Sequence, residues 1–423
     1  MKGMIQTFFV YHTRLRLLKT VLIFIFTLFL YSASAQTIGF KITNSSGRTT
    51  FSFKKVNNLI IIPVTLNNAL PLNFILDTGV RTTILTDRTI SDLVNISYDK
   101  IVTISGVGHI RELNAYLAGN ISLNMPGIEG HGQSLIVLEE DYLELRSHLG
   151  TNVHGIIGYE FFNHFVIKID YINEVVTVYD PEVFKPGRKF AEVPFTIEQG
   201  RPYITVNVTQ HNDSVLILKL LIDSGASHGL LLETDTDDNI LLPDSNIHTV
   251  IGWGLGGELT GNLGRVKKLS FENFEFKDVL ASFTENYSDK ETALITGRNG
   301  SIGGDLLSRF TAIFDYNANK LYLRKNIHYN YPFEFNMSGI DLIAEGINSD
   351  RFVVVNVVEG SPAHMAGVCR GDEFQAVNGK YDHELDLTEI NGILRSRAGN
   401  KINLVIKREN QRLKVSFRLK RMI

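Results

Sequence analysis

The chain is poor in cysteine, tryptophan and proline: its 423 residues include one, one and ten of them. A lone cysteine, Cys369, excludes an internal disulfide, so the fold must rest on its apolar core. In "GVCRGDEF" no histidine or other base stands beside that thiol, which favours a small buried residue over a nucleophile. Excess charge is lacking too, with 42 basic residues against 45 acidic ones. The short basic clusters at Lys267-Lys268 and Arg418 to Arg421 read as solvated surface, and no nucleic-acid partner is expected. The twelve histidines form neither H-E-x-x-H nor a Cys/His cluster, which excludes a zinc protease pattern. "GWGLGG" satisfies a dinucleotide-binding pattern in form only, because no helix or suitably placed acid follows it. No metal and no cofactor are therefore expected.

Long apolar runs are absent after residue 30. The one run present, Val21 to Leu30, follows Arg14, Arg16 and Lys19 and precedes "SASAQ". It is shorter than the roughly 20 residues of a membrane span. A basic start, a short apolar stretch and small residues at Ala33 and Ala35 predict a signal peptide over 1–35. The mature chain would then have no membrane span. Export combined with so little cysteine points to the periplasm or cell envelope of a bacterium, or to secretion.

What the sequence does contain is a repeat. "FILDTGVRTTIL" is matched by "LLIDSGASHGLLL", each preceded by a pair of apolar strands with Asn67-Asn68 or Asn212-Asp213 between them. Gly106 and Gly252 each stand 29 residues after the aspartate of their copy. "GIIGYEFFNHFVIKIDY" and "GSIGGDLLSRFTAIFDY" follow at matching offsets. The fold class predicted is mainly β: two homologous lobes, 36–195 and 196–330, related by a pseudo-two-fold axis, with a further β-module over 335–423. The few helix candidates are short: "DYLELRSHL", Tyr159 to His164 and Gly304 to Arg309.

A two-fold would bring Asp77 and Asp223 face to face. Two adjacent carboxylates cannot both ionise, so they share a proton and can hold a water between them. The ionised one can take a proton from that water as it attacks a carbonyl, while the protonated one hydrogen-bonds the carbonyl oxygen. Gly79 and Gly225 let the backbone approach the carboxyls, and Thr78 and Ser224 carry hydroxyls able to brace the turns. Asp170 and Asp315, a second matched pair, read as turn-forming residues.

The paired Asp-Thr/Ser-Gly turns, each followed by "IIG" or "SIGG", resemble the aspartic proteases, with Val80 and Ala226 closer to the retroviral-type pattern than to the pepsin pattern. The resemblance covers both lobes. It implies a catalytic dyad of Asp77 and Asp223, peptide or unfolded protein as substrate, and flaps containing Gly106 and Gly108 in one lobe and Trp253 and Gly254 in the other. "EGSPAHMAGVCRGD…VNG" resembles PDZ domains. That likeness implies a loop, "MSGIDL", in which Gly339, Ile340 and Leu342 would hold a peptide C-terminus, beside a helix over Thr388 to Arg397. The leading expectation is an exported aspartic endopeptidase. The alternatives are a catalytically inactive peptide-binding scaffold of the envelope, a two-carboxylate glycosidase, which the Asp-Thr/Ser-Gly context disfavours, and, for the PDZ module, a part that only braces the lobes.

Overall fold

The computed structural model describes Lys19 and residues 38–104, 112–284 and 295–423. Two compact units result, Met1–Ile38 and Gly39–Ile423. The expected signal segment (Lys19 apart) and the flap glycines Gly106 and Gly108 lie outside the described residues. Among the described residues no helix is long and apolar enough to cross a membrane.

The second unit is mainly β. In the first lobe, Leu59–Leu66 is apolar on both faces and pairs antiparallel with Leu70–Leu76. The turn between them takes two consecutive left-handed residues, Asn67 and Asn68 (φ +48° and +57°). Such a turn matches the twist of a hairpin, and asparagine tolerates that conformation well. Asp77 leaves the end of the second strand. Gly155–Ile157 then inserts parallel to Leu70–Leu76 and antiparallel to Ile84–Leu85.

The second lobe repeats this layout. Arg201–Thr209 pairs with Val215–Ile222, Asp223 follows, and Gly300–Ile302 lies parallel to that strand and antiparallel to Leu230–Glu233. Its turn is a three-residue loop, closed by the Gln210 amide on the Ser214 carbonyl, with Asp213 left-handed at φ +65°.

A six-stranded sheet joins the lobes. Its order is Ala191–Pro194, Lys320–Lys325, Phe310–Asp315, Val166–Asp170, Val175–Tyr179, Arg48–Ser52. The two central strands come one from each lobe and run antiparallel. The apolar core is continuous through this sheet, with Phe162 packed on Phe314 and stacked on Tyr316. Asp170 accepts from the amides of Ile172 and Asn173, and Asp315 from that of Ala318, so both hold hairpin turns. The first residues of this unit are part of the sheets: Gly39–Ile42 pairs with Ile128–His131, and Arg48–Ser52 with Val175–Tyr179.

The helices are shorter than the sequence pattern suggests. Tyr159–His164 forms as expected, but the third candidate stops at Leu307. "DYLELRSHL" is helical only over Leu145–Leu149. The Asp141 carboxylate takes the Glu144 amide, and Glu144 turns left-handed, which diverts the first residues from the helix. At the other end Gly150, at φ +63°, caps the helix through its amide on the Arg146 carbonyl.

The C-terminal module has its own core. Its strands run in the order Ile340–Glu345, Arg351–Val357, Glu373–Val377, Lys401–Arg408, Gln411–Arg418. Buried Asp372 is gripped by Arg408 through Nε at 2.6 Å and Nη2 at 2.7 Å. Cys369, expected to be buried, is exposed. Its helix spans Leu387–Leu394, opened by reciprocal capping between Asp386 and Glu389 and ending three residues before the expected Arg397.

Candidate active site

The two Asp-Thr/Ser-Gly turns meet at the junction of the lobes and interlock. Thr78 Oγ1 donates to the Ile222 carbonyl at 2.6 Å and accepts from the Ser224 amide at 2.9 Å. Ser224 Oγ donates to the Leu76 carbonyl at 2.9 Å and accepts from the Thr78 amide at 3.0 Å. Both side chains are fully buried. Four hydrogen bonds thus cross between the lobes within one pair of turns, and each hydroxyl uses its donor and an acceptor lone pair.

Each turn is also tied to its own lobe. The Asp77 amide donates to the Ile157 carbonyl at 2.8 Å and the Asp223 amide to that of Ile302 at 2.9 Å. Gly158 and Gly303, which follow those residues, sit against backbone. A Cβ on Gly158 would strike the carbonyls of Asp77 and Val80, and one on Gly303 those of His228 and Ala226. The "IIG" and "SIGG" motifs therefore exist because the chain passes too close behind the aspartate turns for any side chain.

Gly79 and Gly225 face the opposite lobe's carboxyl. A Cβ on Gly225 would fall under 3.0 Å from the Asp77 carboxyl, while one on Gly79 would stand 3.2 Å from an oxygen of each aspartate. The Gly79 amide donates to Asp77 Oδ1 at 2.6 Å, and the Gly225 amide to Asp223 Oδ1 at 3.0 Å. The two carboxyls lie within hydrogen-bonding reach of each other.

Their proton affinities differ. Burial first, then the adjacent charge of Asp223, hold the Asp77 carboxyl well above the usual carboxylate range, against the opposing Gly79 amide and Arg201 charge. Burial also raises Asp223, but the Gly225 amide, the hydrogen bond from Asp77 and the positive charges of Arg298 and Arg201 oppose it. Both carboxyls are raised, Asp77 further than Asp223, and the two titrate as a unit that shares a proton.

Arg201, Arg298 and Tyr316 were not visible in the sequence pattern, whereas His228, five residues after Asp223, reads from the sequence as a satisfied polar group rather than a ligand. Arg201 reaches from the second lobe and donates through Nε to the Gly79 carbonyl at 3.0 Å. Arg298 forms a buried ion pair with Glu233 at 3.0 Å. Tyr316 lies in the core near both aspartates, and burial first, then their charges, raises its hydroxyl. His228 pairs through Nε2 with Ser301 Oγ at 2.9 Å, and burial lowers its imidazole to about 4, so it is a neutral structural group.

The remaining sequence-predicted residues lie elsewhere. Trp253 and Gly254 are in the long hairpin Asn246–Gly254 and Gly257–Phe271 of the second lobe, with Gly254 paired to Gly257. The hairpin tip, Leu255, packs on a first-lobe cluster that includes Ile75 and Val80, next to the Asp77 turn. In the C-terminal module Gly339 is left-handed at φ +78° and its carbonyl accepts from the Val358 amide. Ile340 and Leu342 are buried in the module's core. The Ile340 amide donates to Ser338 Oγ at 3.1 Å, and Asp341 turns toward Asn356, whose Nδ2 it accepts at 2.8 Å.

Two family models match the chain. One, described as aspartyl protease, matches residues 62–161 and 205–306, and the other, a PDZ domain, matches residues 353–408. No curated protein matches it. The first match falls on both lobes and includes both aspartate turns, and the second falls within the separate C-terminal module, so the chain carries a retropepsin-like aspartyl protease domain followed by a PDZ domain.

Proposed function

We propose that this chain is an exported aspartic endopeptidase of the bacterial cell envelope whose PDZ domain binds or presents peptide. The observation that carries the reading is the reciprocal bracing of Thr78 and Ser224, which holds the Asp77 and Asp223 turns together at the junction of the lobes. Asp223, ionised, takes a proton from a water held between the carboxyls as the water oxygen bonds to the peptide carbonyl carbon. Asp77 donates its hydrogen bond to the carbonyl oxygen as that oxygen gains charge. Collapse of the tetrahedral species breaks the C–N bond, and the proton gained by Asp223 passes to the leaving nitrogen. The pair then shares one proton again. The Gly79 and Gly225 amides fix both carboxyls before substrate arrives, which lowers the reorganisation the step requires.

Digestion of an unbiased peptide library from acid to neutral pH, read by mass spectrometry, tests the proposal. Wild-type protein should cut internal bonds, and Asp77→Asn and Asp223→Asn should each abolish cleavage with circular dichroism unchanged. Cleavage surviving in either variant refutes the dyad. A wild-type protein that cuts nothing at any pH supports a peptide-binding scaffold instead.

A further inference from the structure

The groove of the PDZ domain is partly filled by the protease domain. That groove lies between the edge strand Ile340–Glu345 and the helix Leu387–Leu394. Among the described residues the strand pairs on one side only, with Arg351–Val357. Its far end is covered by the first-lobe helix Leu145–Leu149, which packs against it. Gly150 sits between the two walls: a Cβ there would stand 2.7 Å from Leu387 Cβ and 3.6 Å from Ala344 Cβ. Arg146 fastens the helix to the turn beyond the strand, donating through Nη2 to the Ile347 carbonyl and through Nε to Ser349 Oγ at 3.2 Å.

The same helix holds the long hairpin of the second lobe, Asn246–Gly254 and Gly257–Phe271. The His148 ring stacks on Trp253, with centroids 4.2 Å apart and planes at 29°. Leu149 and the hairpin tip, Leu255, share one apolar cluster on the first lobe. The hairpin also touches the PDZ domain directly, because Asn356 Nδ2 donates to Thr249 Oγ1 at 3.1 Å. One five-residue helix is therefore gripped by the PDZ domain on one side and by the second-lobe hairpin on the other.

From this junction we infer that the helix Leu145–Leu149 is a latch, and that a peptide seated in the PDZ groove displaces it and frees the second-lobe hairpin whose tip packs beside the Asp77 turn. The inference rests on the PDZ domain being a peptide binder with the ligand's carboxylate at the Gly339 loop. From Ile340 to Ala344 an added strand advances about 3.4 Å per residue, so a ligand longer than about four residues meets Gly150. Shorter ligands fit beside the latch and leave it in place. Longer ones must move residues 146–150, which breaks the Arg146 bonds and parts His148 from Trp253. The coupling is reciprocal, so loosening the latch must tighten the binding of long peptides.

The only tryptophan of the chain is the reporter. Acrylamide quenching of Trp253 is measured in the full-length protein with a pool of decapeptides ending in free Val, Leu, Ile, Phe or Ala, and with tripeptides sharing those ends. Affinity is followed by anisotropy of the labelled peptides. Decapeptides should raise the quenching constant at least about twofold, and tripeptides should bind without raising it. Arg146→Ala should raise quenching with no peptide present and tighten decapeptide binding by about tenfold. His148→Ala, which cuts the helix from the hairpin, should shift both readouts the same way. Decapeptide binding that leaves Trp253 unchanged and is indifferent to both variants overturns the latch and spares the peptide-binding reading. Absence of binding to wild type and both variants overturns both. Neither readout depends on cleavage.

Discussion

Ser224→Ala removes half of the brace between the aspartate turns. The Thr78 amide loses its acceptor and the Leu76 carbonyl loses a donor, in a place where both interacting side chains are fully buried. A buried polar group left without its partner costs about 1–3 kcal/mol, so the two together cost about 2–6 kcal/mol. The loss is concentrated between the lobes, so it should also reach the carboxyls. A shift of about 1 Å in a reacting group lowers rate by on the order of 100-fold. Urea unfolding followed by circular dichroism, together with library cleavage rates, measures both effects. Ser224→Thr is the control: the first lobe carries threonine at the equivalent place, so this variant should keep both stability and rate. The pair Thr78→Val and Ser224→Ala should cost less than the sum of the single changes, because each removes part of one network. A Ser224→Ala stability within about 0.5 kcal/mol of wild type, the scatter of ordinary surface substitutions, would refute the reasoning.

The two glycines of the turns are not equivalent. Gly225→Ala forces a methyl into the Asp77 carboxyl and should eliminate cleavage, whereas Gly79→Ala needs only a few tenths of an ångström and should retain part of it; equal rates in the two variants would contradict the geometry. Asp77→Asn should change stability in a pH-dependent way. The folded pair holds a proton that the unfolded aspartate releases above about pH 4, so wild type loses about 1.4 kcal/mol per pH unit from there until the folded pair titrates. The asparagine variant escapes that loss, and its stability relative to wild type should rise from pH 3.5 to pH 7. An identical difference at both pH values in denaturant melts would show that Asp77 carries no raised proton affinity.

The strand pairs and both aspartate turns were legible in the sequence because the repeat prints them twice, at matched spacing. Gly158 and Gly303 were legible for the same reason, since their close approach to backbone leaves no alternative residue. Arg201 was not. By register it follows the turn that corresponds to Asn57-Asn58, where the first lobe has Leu59, so comparison of the copies offers an apolar residue and no hint of a cation. The latch was hidden for another reason. Arg146, His148 and Gly150 meet Ile347, Trp253 and Leu387 only across long stretches of chain, and no local pattern encodes such contacts. The truncated helix that carries them was misjudged in length because Asp141, read as a helical residue, instead binds the Glu144 amide.

The departures from symmetry also make the surroundings of the two aspartates unequal. Paired register aligns Gly300 with Gly155 and Leu232 with Leu85, so Arg298 and Glu233 occupy the places of Val153 and Thr86. The backbone agrees: Glu233 and Thr86 each donate an amide to the residue before the matched glycine, Asn299 and His154. A valine and a threonine in one lobe are thus a buried ion pair in the other, at 3% and 1% exposure. The Arg298 charge stabilises the ionised form of Asp223, and the corresponding place behind Asp77 holds an apolar side chain. A perfectly symmetric pair could place the proton on either carboxyl with equal ease. Here the frame supplies two nearly identical turns, and a buried cation on one side favours the ionised form of Asp223 with no counterpart behind Asp77.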